Sequence, residues 1–383
     1  MTATLQTKEG RKNYFAVIDY KDENGKRKMK WINTGVDVKG DHIREANRRL
    51  REILHEYESQ QISIDRDVLF TEFLKRWFET MKATNAIAPT TADAYSLVLS
   101  VHLLPYFEPK RLKVTDVTPA HIQAYIILKL KTLSGNTIRK HLANLSSCFE
   151  SAVKQNIIAF NPVKRVELPR KEKYDGAKHL NEEQISKLLE VSKGDTLEIV
   201  ILLTVFYGLR RSEALGLRWS ALDMVLDVVK INHTVVNVAG VPYEADSTKN
   251  VASRSTLPLL PLIKERLIVW KAQQAERQAL QPNDYHESDY ICTDFKGDII
   301  KPNFVSQHFD ILLRKNGLPD VRFHDLRHSA AAYLHYLGFD LKDIQTWLRH
   351  SDIGTTANLY MTLDMSAKKN IADRLNEKFA ALC

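Results

Sequence analysis

Cysteine is scarce: only Cys148, Cys292 and Cys383 occur among 383 residues. They are far apart, odd in number and lack metal-ligand spacing. This leaves neither a disulfide framework nor a cysteine metal site, and points to free thiols in a reducing compartment. Long apolar runs are missing too. The longest, around Ile199 to Tyr207, is far too short to span a bilayer, and the opening MTATLQTKEGRKNYF holds no apolar h-region. A cytoplasmic protein with no membrane partner is expected. The sequence also lacks an HExxH motif, clustered carboxylates at ligand spacing, a glycine-rich phosphate loop, internal repeats and low-complexity tracts. No metal or cofactor is therefore expected.

What is present is ordinary globular composition with a basic excess. Hydrophobic residues make up 44% and charged residues 27%, enough for real cores. The length predicts two or three domains. A net charge of +8 favours a polyanionic partner, although many basic proteins bind none.

Residues 1–60 read as a small α+β module. NYFAVIDY and MKWIN have strand composition, and Asn24-Gly25 between them is a hairpin-turn signal. A helix follows from about Asp41, with Ile43, Ala46, Leu50, Leu54 and Tyr57 at helical spacing and Arg44, Arg48, Arg49 and Arg51 around them. Such arginines are either a solvated face or a second DNA-binding surface.

Residues 65–165 read as all helix. Leu69, Phe70, Phe73, Leu74, Trp77, Phe78 and Met81 form one wide apolar stripe. Further helices are expected after Pro89, with Thr90 or Thr91 as cap, after Thr118-Pro119, and from Ser134. On the last of these, Thr137, Arg139, Lys140 and Asn144 lie off the apolar stripe and suit phosphate or base-edge contacts. Residues 166–177 read as an extended basic linker broken by Pro169 and Gly176. There and just before it, Lys164, Arg165, Arg170 and Lys171 could track a DNA backbone, or could simply be solvated.

Residues 178–383 read as a mainly helical domain with a small inserted sheet. Asn181 caps its first helix, and a buried helix ends near Gly208. VVKINHTVV and RSTLPL have strand composition, with STKN in the turn region between. The fold class is thus mainly α with small β insertions.

The C-terminal half carries a dispersed constellation: Arg210 in YGLRRSEALGLRW, Lys249 in STKN, His324 and Arg327 in HDLRH, His350 in WLRHSD, and Tyr360 in TTANLY. Two arginines, a lysine and two histidines can hold one phosphate and stabilise charge as it builds there. A tyrosine can attack that phosphorus once neighbouring cations favour its phenolate. A helix would put His324 and Arg327 on one face. His328 is expected to point away and to serve structure.

In order and in interval, these motifs resemble the tyrosine recombinases, most of all the integrases of temperate phages and conjugative transposons. The resemblance implies that Arg210, Arg327 and His350 bind the scissile phosphate, that Lys249 protonates the leaving 5′ oxygen, that His324 assists, and that Tyr360 forms a 3′-phosphotyrosyl link. Glu213 resembles the acidic residue that supports the arginines. The resemblance further implies an arm-site-binding domain at 1–60, a core-site-binding domain at 65–165 and a catalytic domain at 178–383. The implied partners are double-stranded DNA, three further copies in a tetramer, and an excision or directionality factor, in the nucleoid of a bacterial host. A dimer resolvase, a type IB topoisomerase-like enzyme and a catalytically silent DNA-binding regulator are the alternatives.

Two departures stand out. Arg349 occupies the usual glycine position before the last histidine, where altered local DNA contacts are expected of it, and MTL follows Tyr360. Beyond it, Ile371, Leu375 and Phe379 give the 366–382 segment an apolar stripe, expected to dock on a neighbouring protomer.

Overall fold

The computed structural model describes residues 2–21, 27–40, 42–172, 178–245 and 255–349. The chain forms two compact units, Met1–Glu172 and Lys173–Cys383.

The first unit opens with a three-stranded antiparallel sheet in the order β1-β2-β3. Strand β1 spans Thr2–Thr7, β2 Asn13–Lys21 and β3 Arg27–Asp37. In strand β1 only Ala3 and Leu5 alternate with polar residues, too weak an apolar signal to be read in the sequence. Helix α1, Ile43–Arg66, covers one face of the sheet. Ala16 and Ile18 from β2 meet Ile53 from α1 in a small core. The Asn24-Gly25 turn lies outside the described residues.

The helical part of this unit is built on aromatics. Helix α2, Phe70–Ala83, buries Phe70, Phe73, Leu74, Trp77 and Phe78 at helical spacing. Helix α3, Pro89–Val98, starts two or three residues earlier than the expected Thr90 or Thr91 cap implies, because Pro89 takes the first helical position and extended Ala88 precedes it. It runs through a wider turn at Leu99–Leu103 into α4, Leu104–Phe107. Pro105 has no N–H to donate back to Val101, which favours that wider turn. Helix α5, Pro119–Lys129, is capped by Thr118, and α6, Gly135–Lys154, by the Ser134 hydroxyl. The Phe70 ring stacks on Phe149 at 4.9 Å and meets Phe107 edge-on at 5.0 Å. Burying each such ring stabilises by roughly 1.5–3 kcal/mol. In the same core the Tyr125 hydroxyl lies 2.7 Å from His141 Nδ1, and His102 stacks on the His141 ring.

The first part of the expected linker is not free. Arg139 Nε donates to the Pro169 carbonyl at 2.8 Å, and the Glu172 carboxylate accepts from the Gly135 N–H at 2.8 Å. A side chain at position 135 would collide with the Arg170 carbonyl, so the glycine permits this close approach. Residues up to Glu172 are thereby strapped to the start of α6.

The second unit begins with α7, Glu182–Val191, capped reciprocally by Asn181 and Gln184. Helix α8, Glu198–Tyr207, is buried almost all round and forms the centre of the largest core. After α9, Arg211–Leu215, come β4 (Leu222–Asp223), β5 (Val228–Ile231), β6 (Thr234–Val238), β7 (Val241–Ala245) and β8 (Ser255–Pro258). The segment VVKINHTVV is two strands, not one: β5 pairs with β8, whereas β6 forms a hairpin with β7. Its turn, Ala239-Gly240, has both φ values positive, the conformation that two-residue hairpins require. Helices α10 (Pro261–Leu280), α11 (Pro302–Lys315), α12 (Asp325–Tyr336) and α13 (Leu341–Leu348) complete the described part. The small residues Ala330 and Ala331 let α12 pack against Ile344 and Leu348 of α13, while the helix also contacts α8. Among the described residues no helix is long and apolar enough to cross a membrane.

Candidate active site

Helix α8 ends at Gly208, whose φ of +59° turns the chain out of the helix. Two residues later Arg210 is extended and α9 begins. This turn brings the Glu213 carboxylate back onto Arg210. One Glu213 oxygen accepts from Arg210 Nη1 at 2.7 Å. The other accepts from the Arg210 backbone N–H at 2.9 Å and from Arg349 Nη2 at 2.8 Å. Glu213 is buried, which alone would raise its pKa. The Arg349 cation, the Arg210 N–H and the Arg210 cation outweigh that burial and hold it below the usual carboxylate range. It is therefore ionised at neutral pH.

Arg327, on the first turn of α12, is 3% exposed. Its Nη1 donates to the Gly208 carbonyl and its Nη2 to the Leu348 carbonyl. One guanidinium thus ties the end of α8 to the end of α13. A Cβ at position 208 would run into the Leu348 side chain and approach Arg327. The glycine is needed twice, for the left-handed φ and for this proximity. Burial pushes the Arg327 pKa down, as does the neighbouring Arg210 cation, while Glu213 opposes the shift.

His324 immediately precedes α12, with the outer part of its residue open to solvent. Partial desolvation and the Arg327 cation lower its pKa, so it is neutral at pH 7. His328 does not point away from it. The two rings meet edge-to-face with centroids 5.6 Å apart, because four residues on a helix bring side chains onto one face. Between them Asp325 is buried and paired with Arg322 at 2.7 Å. Among the described residues no group of three or more histidine, cysteine or acidic side chains is placed to hold a metal ion.

Arg349 corrects the expectation drawn from its position. It is not a surface residue available for local DNA contacts. It sits just after α13 with φ +58°, and its side chain turns inward, 3% exposed, to meet Glu213. The left-handed conformation costs a non-glycine residue on the order of 1 kcal/mol. Its Nε and Nη1 are buried with no hydrogen-bond partner among the described residues. Beyond burial, Arg210 thus helps push down the pKa of both Arg327 and Arg349, as Arg349 does that of Arg327, with Glu213 set against these shifts in a cluster of three guanidinium groups. Such a cluster is short of negative charge. Arg210 is its open member, with a side chain 37% exposed.

Lys249, His350 and Tyr360 lie outside the described residues, as does the 366–382 segment. The described geometry brings Arg210, Glu213 and Arg327 together and leaves His324 at the cap of α12, three residues before Arg327. Sequence reading did not find Arg349 as a partner of Glu213. The only available signal was an arginine where the resemblance calls for glycine.

The DNA-contact candidates divide. Lys140, Arg170 and Lys171 are exposed, while Lys164 pairs with Glu150 at 2.7 Å and Arg165 lies over the Phe160 ring. Thr137 is half-buried in the first turn of α6, and Arg139 is engaged by Pro169. Asn144 differs from expectation. It is 2% exposed, and its amide donates back to the Lys140 carbonyl. It follows His141 by three and precedes Cys148 by four, both core residues, so it belongs to the inward stripe.

The phage integrase family model matches residues 178–367, and the SAM-like domain of phage integrase N-termini matches residues 69–130. A protein of Caldanaerobacter subterraneus subsp. tengcongensis, described as tyrosine recombinase XerC-like, is 26% identical over 98% of this chain and 99% of its own length. The ICEBs1 integrase of Bacillus subtilis is 24% identical over 93% of this chain and 98% of its own. The solved structure of the Tn1549 transposon integrase in complex with transposon right end DNA has the same fold. Its TM-score is 0.61 at 17% identity, over 80% of this chain and 100% of that one. With one family model over the unit that holds the arginine cluster, another over the aromatic helical core, and a relative matched almost end to end, this chain belongs to the phage integrase family of tyrosine recombinases.

Proposed function

We propose that this recombinase integrates and excises a mobile genetic element, with Arg210, Lys249, His324, Arg327, His350 and Tyr360 as its catalytic set. The observation that carries the reading is the surplus of positive charge at the site, three guanidinium groups against the carboxylate of Glu213. A DNA phosphate supplies the missing anion. Arg210 would donate to its oxygens from the open side. Buried Arg327 would contribute field and hold the surrounding loops at one geometry.

Tyr360 oxygen then attacks the phosphorus. A bond forms between that oxygen and the 3′ phosphate, the bond to the 5′ oxygen breaks, and Lys249 gives the leaving oxygen its proton. His324, neutral at pH 7, is suited to accept or pass the tyrosine proton. The ester energy stays in the phosphotyrosyl link, so attack by a new 5′ hydroxyl rejoins DNA without an energy source.

Exchange between two duplexes needs four strand cleavages, and one nucleophile per chain makes a tetramer the working unit. An apolar groove of about 930 Å³ in the second unit, lined among others by Ile185, Leu189, Phe206, Leu334 and Ile344, suits the apolar stripe of a neighbour's 366–382 segment. The names of the ICEBs1 and Tn1549 relatives support a mobile element as the cargo, with residues 1–60 reading arm sites and 65–165 the core site. A directionality factor would select excision.

The test is a nicked suicide substrate with the element's own core site. The chain should form a covalent adduct, undiminished by excess EDTA, and Tyr360→Phe should bind the same DNA yet form none. Adduct formation by the phenylalanine variant would refute the assignment of the nucleophile, and adduct lost to chelator and restored by magnesium would refute the chemistry.

A further inference from the structure

We propose that Arg349 is a positioning residue for the phosphate clamp: through the Glu213 carboxylate it sets where the Arg210 guanidinium stands and how much positive charge that group offers to DNA. The inference rests on the reading of the site given above.

Folding alone does not account for this arginine. Its backbone is left-handed, a conformation glycine adopts without penalty. Its charged side chain is 3% exposed, and two of its guanidinium nitrogens have no hydrogen-bond partner among the described residues. Glycine at this position would remove both liabilities. The contact that remains to justify the residue is its bond from Nη2 to Glu213 at 2.8 Å.

That contact has a direct consequence for Arg210. The same Glu213 oxygen accepts the Arg210 N–H, and its twin accepts Arg210 Nη1 at 2.7 Å. Without Arg349 the whole carboxylate charge would fall on Arg210, neutralising it and drawing it inward. With Arg349 that charge is divided, and the half-open Arg210 keeps a net positive field toward solvent. The buried Arg349 charge is weakly screened, so its effect reaches across the small cluster. A direct contact with DNA is disfavoured by burial, so the action runs through Glu213.

The experiment uses the full chain with Arg349→Gly, Arg349→Lys, Glu213→Gln and the Glu213→Gln/Arg349→Gly double variant. Single-turnover adduct formation at saturating protein should fall about ten- to a hundredfold in Arg349→Gly, the scale of a small misplacement at a reacting centre. DNA affinity should stay within about twofold and the melting temperature should be no lower than that of the parent, since the removed side chain was a folding liability. Arg349→Lys should recover part of the rate. The double variant should be no slower than Glu213→Gln alone, because both act on one link. A parental rate in Arg349→Gly, multiplicative losses in the double variant, or a rate loss matched by weaker binding or lower melting temperature would each overturn the proposal.

A melting cycle judges the pairing without DNA. Glu213→Gln should lower the melting temperature more when Arg349 is present than in the Arg349→Gly background, and equal shifts would overturn the proposal. If the parent chain formed no adduct, the proposed function would fall, and the melting cycle would still decide whether Arg349 is linked to Glu213.

Discussion

Replacing Arg327 by lysine separates two roles that one side chain performs. The charge survives but the fork does not. A guanidinium reaches the Gly208 and Leu348 carbonyls with two different nitrogens, whereas a single ammonium of shorter reach serves one of them at most. The other carbonyl stays buried without its donor. An unsatisfied buried acceptor costs about 1–3 kcal/mol. For a unit of the size of Lys173–Cys383, each kcal/mol lowers the melting temperature by roughly 2–4 °C, so a drop of about 2–12 °C is expected. Arg210→Lys is the control. That side chain is 37% exposed, and solvent screening holds its stability effect to roughly 1 kcal/mol or less. Both variants should lose adduct formation on a suicide substrate. Calorimetry of the second unit's transition should tell them apart. A parental melting temperature in Arg327→Lys would refute the reasoning, because the carbonyl bridge would then contribute nothing to the fold.

Two further outcomes are expected. Removing residues 1–60 should leave binding and cleavage at the core site but abolish binding to a second set of DNA sequences in a mobility-shift assay, and unchanged binding at every site would return the α1 arginines to a plain solvated face. Stability of the helical body should fall with acid: burial, His102 and Lys129 push the His141 pKa down to about 4, so between about pH 6.5 and 4 the unfolded chain binds a proton that the folded chain refuses. Unfolding free energy should then drop by roughly 1.4 kcal/mol per pH unit across that window, measured by urea melts, and a flat profile would show that His141 titrates normally.

Much of this molecule was legible in the residues, and the reasons differ by element. Helix α2 announced itself because its aromatics repeat at the helical period, and Thr118, Ser134 and Asn181 marked helix starts because each side chain caps where the sequence places it. The strand β1 did not, since Thr2–Thr7 exposes most of its residues and only Ala3 and Leu5 carry its apolar alternation. The β6–β7 hairpin was missed because Ala239 occupies a left-handed turn position that usually advertises itself with asparagine or glycine. Arg210 and Arg327 stand out through their motifs, and the structure brings them to one cluster. The strap formed by residues 166–172 and the inward course of Arg349 depend on contacts between distant segments, such as Glu172 with Gly135, that no local pattern encodes.

The bridge from Arg327 to Gly208 joins positions 119 residues apart, and Glu213 meets Arg349 across 136. A chain still emerging from the ribosome, or one cut short before α12, has Arg210 and Glu213 but neither Arg327 nor Arg349 to complete the cluster. Under the proposed assignments, such a site would not operate in fragments. Nicking would wait until the last helices have been made and have packed, so this topology would shield a host from broken copies of the enzyme.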